Sequence, residues 1–271
     1  MSDLPAFKDE TRTSYTTPPN PGWKIGQKVD ATPEGRAWLE GEKAGWKFLD
    51  TKEASPIDLY KLFVSGVVPR PIAFVSSEAE NGTQNLAPFS WFNTVTSNPP
   101  TISVSVVNMG KPYKDTAANI RATKQFVVNI ISEPFVQNAN ATSIDTPPEV
   151  SEWALSGLTQ APSKFVKPPR VKESAFAMEC EVYEIVDIKN PDTGVATTTF
   201  VIGLVKGVHI RQDVLSQDGS TIDISKFQAV GRLGDISYGR IGEAFRIGRP
   251  SYEENKELID GLAKGVKIAH L

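Results

Sequence analysis

Val68-Pro-Arg-Pro-Ile-Ala-Phe-Val-Ser-Ser77 opens the stretch that decides the fold. It continues through Asn85-Leu-Ala-Pro-Phe-Ser-Trp-Phe-Asn93 and Asn98-Pro-Pro-Thr-Ile-Ser-Val-Ser105 to Gly110-Lys-Pro-Tyr-Lys-Asp-Thr116. Within it, Thr101-Ile-Ser-Val-Ser-Val-Val107 alternates as a strand should, with Ile102, Val104 and Val106 on one face and Thr101, Ser103 and Ser105 on the other. One face makes core; the other meets solvent or a polar ligand. The chain then turns at Asn108-Met-Gly110 and starts a helix near Asp115-Thr116, behind Lys111 and Lys114. Lysines at a helix start oppose the helix dipole, whose N-terminal end is positive and favours anions. A phosphate between them would reconcile this, with the free helix N–H groups, the Thr116 hydroxyl and both ammonium groups converging on it. The alternative is that Asp115 or Thr116 caps the helix while both lysines face solvent.

Working outward, apolar or alternating runs at Ile72–Ser77, Thr101–Val107, Phe126–Ile131, Phe176–Ile188 and Thr197–Ile210 read as strands, bounded by Pro, Gly or Asn. Asn190-Pro-Asp-Thr-Gly194 joins the last two and carries the turn residues of an antiparallel hairpin. A mainly β fold is predicted, an antiparallel barrel, closed or partly closed, with short peripheral helices at Lys114–Thr123, Phe135–Thr142, Glu149–Ser156 and Tyr252–Lys267. Residues 1–55 read as an extension rich in Thr, Pro, Gly and charge, residues 56–250 as the main domain and 251–271 as a terminal helix. In the extension, Thr32 and Pro33 suit the cap and first turn of a short helix. Its Trp23, Trp38 and Trp46 predict packing against the main domain or a second subunit.

Composition narrows the function by exclusion. Lys and Arg number 29 against 32 Asp and Glu, so the net charge of -3 gives no general attraction to nucleic acid or anionic membranes. No apolar run approaches the roughly 20 residues needed to span a bilayer, and the first residues have neither a signal core nor a transit composition, so a cytoplasmic location is expected. Ala269-His-Leu271 resembles a peroxisomal tripeptide only loosely and is set aside. The single cysteine, Cys180, rules out an internal disulfide framework and fits a small buried hydrophobe on a strand. With only His209 and His270 besides, no transition-metal site is expected. There is no Gly-x-Gly-x-x-Gly after a strand, and Gly110-Lys111 lacks the rest of a P-loop.

The succession Arg70-Pro71, Ser76-Ser77, Asn85-Leu-Ala-Pro-Phe-Ser90, Ser105, Thr116-Ala-Ala-Asn119 and Val127-Val-Asn129 resembles the flavin reductase-like family of FMN-binding split barrels, over roughly residues 56 to 250. The resemblance implies that a flavin ring lies against the segments Ala73–Ser77 and Asn85–Ser90. Ser76, Ser77 and Asn85 would bond its polar edge, beside Ala87, Pro88 and Ser90. It places the phosphate at Ser105, Lys111, Lys114 and Thr116, with Asn119 one turn further in. Arg70 is either a further phosphate or ring partner or a surface charge. Phe89, Trp91 and Phe92 divide between ring and core. Arg232 and Tyr238 belong to a segment that lies near the cofactor or subunit contact in such proteins, and His209 would line the nicotinamide side or simply end its strand. The implied cofactor is FMN, with FAD also open, and NAD(P)H is the implied co-substrate. A homodimer is implied as well. No side chain is assigned as general acid or base, because hydride would pass directly from dihydronicotinamide to flavin. The expected activity is that of an NAD(P)H-dependent flavin reductase. The alternatives are a bound-flavin oxidoreductase with an unknown acceptor, a flavin-binding electron carrier without turnover, and a barrel that binds no flavin.

Overall fold

The computed structural model describes residues 4–8, 13–108 and 113–265. In chain order its strands and α-helices are β1 (Ser14–Thr16), α1 (Pro33–Leu39), α2 (Pro56–Gly66), β2 (Ala73–Glu78), β3 (Gln84–Phe89), β4 (Phe92–Ser97), β5 (Pro100–Val107), α3 (Asp115–Thr123), β6 (Gln125–Ile130), α4 (Val136–Ala141), α5 (Trp153–Ser156), β7 (Gln160–Ala161), β8 (Arg170–Val171), β9 (Phe176–Lys189), β10 (Ala196–Ile210), α6 (Ile224–Phe227), β11 (Val230–Arg232), β12 (Tyr238–Arg240), β13 (Glu243–Phe245) and α7 (Tyr252–Gly265). The chain divides into two compact units, Met1–Arg12 with Tyr60–Ile241, and Thr13–Leu59 with Gly242–Leu271.

The first unit is organised by a seven-stranded sheet in the order β3-β2-β6-β9-β10-β5-β4. Every ladder in it is antiparallel. The mainly β expectation therefore stands; among the described residues no ladder joins β3 to β4 to close the sheet. Ala73–Ser77 are all buried because both faces of β2 are covered. Ala73 and Val75 face a core with Ile102, Val104, Val106 and Phe126, roofed by Ala117 and Ile120 of α3. Ile72, Phe74 and Leu86 face a second core with Phe135, Ala139 and Trp153. In β10, Gly203 lets the Phe126 ring come close, since a Cβ there would stand 2.5 Å from Phe126 Cζ. The β9–β10 turn forms as read: Asn190 Oδ1 accepts from the N–H groups of Asp192 and Thr193, and Gly194 has φ +70°.

The expected strands appear at their predicted positions to within about two residues; β3, β4 and α2 are additional, as are the short β1, β7, β8, β11, β12, β13 and α6. The signal for α2 was Ser55-Pro-Ile-Asp58, a capping pattern: Ser55 Oγ accepts from the Asp58 N–H at 3.1 Å and donates to its carboxylate at 2.8 Å. The helix expected at Phe135–Thr142 is a 3-10 turn followed by α4, and the one expected at Glu149–Ser156 contracts to α5. The terminal helix is α7; Val266, Lys267 and Ala269–Leu271 lie outside the described residues. No described helix is long and apolar enough to cross a membrane.

In the second unit β1 pairs in parallel with β13. Thr32 caps α1 as expected, its Oγ1 accepting from the Gly35 N–H at 3.0 Å with Pro33 in the first turn. Trp23, Trp38 and Trp46 are 51%, 80% and 89% exposed.

Candidate functional site

The site begins with the pairing of β2 and β3. Ser77 stands opposite Asn85, so the two side chains share a face, and Ala87 and Phe89 follow Asn85 by alternation. The first turns of α3 pack on that face. Thr116 Oγ1 donates to Asn85 Oδ1 at 2.6 Å, and Asn119 Nδ2 donates to Ser77 Oγ at 3.2 Å. Asn85 Nδ2 in turn donates to Glu152 Oε2 at 2.8 Å. The same carboxylate accepts from the Leu86 N–H at 3.1 Å and from Thr146 Oγ1 at 2.7 Å. Asn85, Thr116, Asn119 and Glu152 are all buried, so one polar network ties β3, α3 and the start of α5 into a rigid wall.

Against that wall lies a cleft of about 410 Å³. It is bounded by Asn85–Phe89, Asn108, Lys114–Thr116, residues 142–146 and Glu152. Lys114 is the cap residue of α3, and its side chain makes no capping hydrogen bond. The N–H groups of a first helical turn have no intrahelical partner, and this end of the dipole is positive. Asn108 is fully buried, yet among the described residues neither its Oδ1 nor its Nδ2 has a hydrogen-bond partner. Leaving a buried amide unmet costs on the order of 1–3 kcal/mol. Such a cleft suits a molecule that brings an anion to the α3 end and both a donor and an acceptor to Asn108.

The structure brings Asn85, Ala87, Pro88, Lys114 and Thr116 together around this cleft. Thr116 holds its place indirectly, because its proton is committed to Asn85. Ser77 and Asn119 stand behind the wall, and Asn119 lines a smaller hollow on the far side of Asn85. Ser76 is separated from Ser77 by the pleat: its hydroxyl is buried without a partner beside Leu86. Phe89 lines the cleft, Phe92 is in the core and Trp91 is 39% exposed. Ser90, Arg232 and Tyr238 line a second cavity, of about 170 Å³. It has Pro88 and Ser143 in common with the first. Lys111 lies outside the described residues.

Two placements, Ser105 and Arg70, differ from expectation, and a third, His209, takes one of its two readings. Ser105 stands on the face of β5 opposite the core residues and lines neither cavity; its N–H donates to Trp91 O at 2.9 Å. Arg70 is neither a cleft residue nor a surface charge. It is 8% exposed and donates to the carbonyls of Val64, Val67 and Leu233 and to Ser90 Oγ. His209 takes the second of its two readings: it stands at the end of β10, lines neither cavity, and pairs with Glu179, a fully buried carboxylate on β9. That carboxylate also accepts from the N–H groups of Lys164, Phe165 and Val166. Burial alone would raise its pKa, but the His209 bond and the three backbone donors outweigh burial and hold it below the ordinary value. Cys180 is the buried strand residue expected, with its thiol pKa pushed up by burial.

Asn108, residues 142–146 and Glu152 escaped the sequence reading. Only Asn108 had left a trace: it continues the even-numbered alternation of Ile102, Val104 and Val106, so a polar side chain falls where the core face ends. Glu152 and the 142–146 segment reach the cleft by tertiary packing that no local spacing encodes.

The fold and this cleft define a flavin reductase-like protein, and the chain belongs to that family: the model of the flavin reductase like domain matches residues 65–224. An uncharacterized protein of Halalkalibacterium halodurans is 40% identical over 200 residues, covering 73% of this chain and 94% of its own. Among solved structures, nitrilotriacetate monooxygenase component B from Bacillus cereus superposes with a TM-score of 0.72 at 33% identity, covering 75% of this chain and 99% of that one. The 2-nitrobenzoate 2-nitroreductase NbaA of Pseudomonas fluorescens does so with a TM-score of 0.67 at 28% identity, covering 76% and 98%.

Proposed function

We propose that the protein is an NAD(P)H-dependent flavin reductase that binds FMN in the 410 Å³ cleft and whose sheet curls into the family's split barrel. The observation that carries the reading is Asn108, a fully buried amide with both polar atoms unmet among the described residues, lining the same cleft as the start of α3. The phosphate would lie at that start, against the first-turn N–H groups and the Lys114 ammonium. Asn108 would meet the polar part of the flavin, and Ala87, Pro88 and Phe89 would border it. Thr116 and Glu152 position Asn85. When bound, the flavin supplies the hydride chemistry; the protein supplies orientation and exclusion of water. The test is the visible absorbance of FMN-saturated protein under anaerobic conditions as NADH and then NADPH are added. Bleaching of the flavin band is expected with one of them; a band that persists on protein that holds FMN rejects the reductase. Repeating the titration with FAD decides between the two flavins.

The second cavity favours one further reading, a bound-flavin oxidoreductase with its own acceptor, and the likeness to a nitroreductase agrees with it. Turnover that depends on an added organic acceptor rather than on free flavin would select it. The same proposal includes a homodimer, consistent with the exposure of Trp38 and Trp46. A monomeric mass by light scattering would reject that part.

A further inference from the structure

Arg70 presents an imbalance that the flavin site does not resolve. Its guanidinium is buried against the carbonyls of Val64, Val67 and Leu233, and among the described residues no carboxylate pairs with it. Arg232 stands directly across an antiparallel bridge: each residue's N–H donates to the other's carbonyl, at 3.0 and 2.8 Å. It too has no described carboxylate partner. Its Nη1 and Nη2 donate to Ile236 O and Asp235 O, which engages two of the five guanidinium N–H donors. Burial lowers the Arg70 pKa; Tyr60 opposes the shift and Arg232 adds to it. Two adjacent cations, Arg70 buried and Arg232 half-buried, are thus held by carbonyls, the Ser90 hydroxyl and the Tyr238 ring without a described carboxylate, whereas buried charge is ordinarily met by opposite charge.

The cavity of about 170 Å³ opens beside this pair. Ser90, which accepts from Arg70 Nε, lines it, as do Arg232 and Tyr238. The Arg232 guanidinium lies over the Tyr238 ring at 4.5 Å, which fixes the plane of the fork. Tyr238 Oη donates to Asn140 Oδ1 at 2.8 Å, so the Asn140 amide remains a donor at the rim. A donor-rich floor, a planar cation and no acid describe a receptor for a planar oxyanion. The volume is below the roughly 300 Å³ at which pockets for drug-sized ligands begin, which favours a single-ring or short-chain acid over a nucleotide. Pro88 and Ser143 line this cavity and the flavin cleft alike.

We propose that this cavity binds the carboxylate of a small organic acid, held by Arg232 with Arg70 behind it. The test is calorimetric titration of benzoate and its neutral isostere benzamide, into FMN-saturated and into flavin-free protein. Benzoate is expected to bind at least about tenfold more tightly than benzamide, a preference reduced to about threefold or less in Arg232→Met and intermediate in Arg232→Lys. Adenosine monophosphate serves as competitor and is expected not to displace benzoate. Equal binding of benzoate and benzamide by the native protein overturns the proposal, as does a preference that survives in a folded Arg232→Met. Displacement by adenosine monophosphate also overturns it and assigns the arginines to a dinucleotide phosphate. The arm on native protein needs no variant to fold. Visible absorbance of the same samples separates the readings: benzoate preference without bound FMN keeps the anion site and fails the flavin site, and the reverse result does the opposite.

Discussion

Glu179 on β9 and Asn108, one residue past the end of β5, are both fully buried polar residues, and they are treated in opposite ways. The Glu179 carboxylate accepts from three consecutive backbone N–H groups, Lys164 to Val166, and is paired with His209. It is complete, and what it completes is structural: it clamps the 164–166 segment to β9 and β10. Among the described residues the Asn108 amide has no partner for either polar atom, although it lies beside a cleft that the start of α3 also lines. Buried polar groups are nearly always paired, so an unmet one at a cleft is informative where a satisfied one is not. The difference distinguishes polar chemistry that holds the fold from polar chemistry that awaits a ligand.

The largest effect that would break this contrast lies at Glu179. Glu179→Gln is expected to cost about 3 kcal/mol of stability, because it removes the charge from a buried, fully bonded group. The urea midpoint measures it, and a negligible shift would mean that the clamp is not structural. Acid should act through the same group. Its carboxyl pKa is lowered in the folded state, so its contribution is fully present above the ordinary value of 4.5 and is lost as the pH falls below that toward the folded value. Thermal melts from pH 6 to pH 3 should therefore fall more steeply for the native chain than for Glu179→Gln. His209→Gln removes only the partly exposed partner and should cost less, about 1.5 kcal/mol by the same urea assay. Smallest of all is Asn108→Ala without ligand: stability should stay within about 0.5 kcal/mol or rise, since an unmet amide is removed. A loss comparable to that of Glu179→Gln would show that Asn108 is structural after all.

Much of the frame was legible in the chain. Ile102, Val104 and Val106 announced the core face of β5, and Asn190 with Gly194 announced the hairpin turn, because alternation and turn geometry are local. The start of α3 was legible from its misplaced cations, and Lys114 does border the cleft. Burial and partnership were not legible. A sequence cannot say that the Thr116 proton goes to Asn85, that Glu152 arrives from 67 residues away to fix that amide, or that Arg70 turns inward to carbonyls. His209 misled for the same reason: its strand position was read correctly, but the buried carboxylate that claims it lies on the neighbouring strand.

The most direct measurement is a titration of flavin-free protein with FMN, followed by quenching of flavin fluorescence, for the native chain and for Asn108→Ala. Saturable binding of one flavin per chain is expected, at least about tenfold weaker in the variant, as befits the loss of a buried hydrogen-bonding group. Absence of saturable binding, or equal affinity in the two proteins, would contradict the assignment of the cleft and of Asn108 within it.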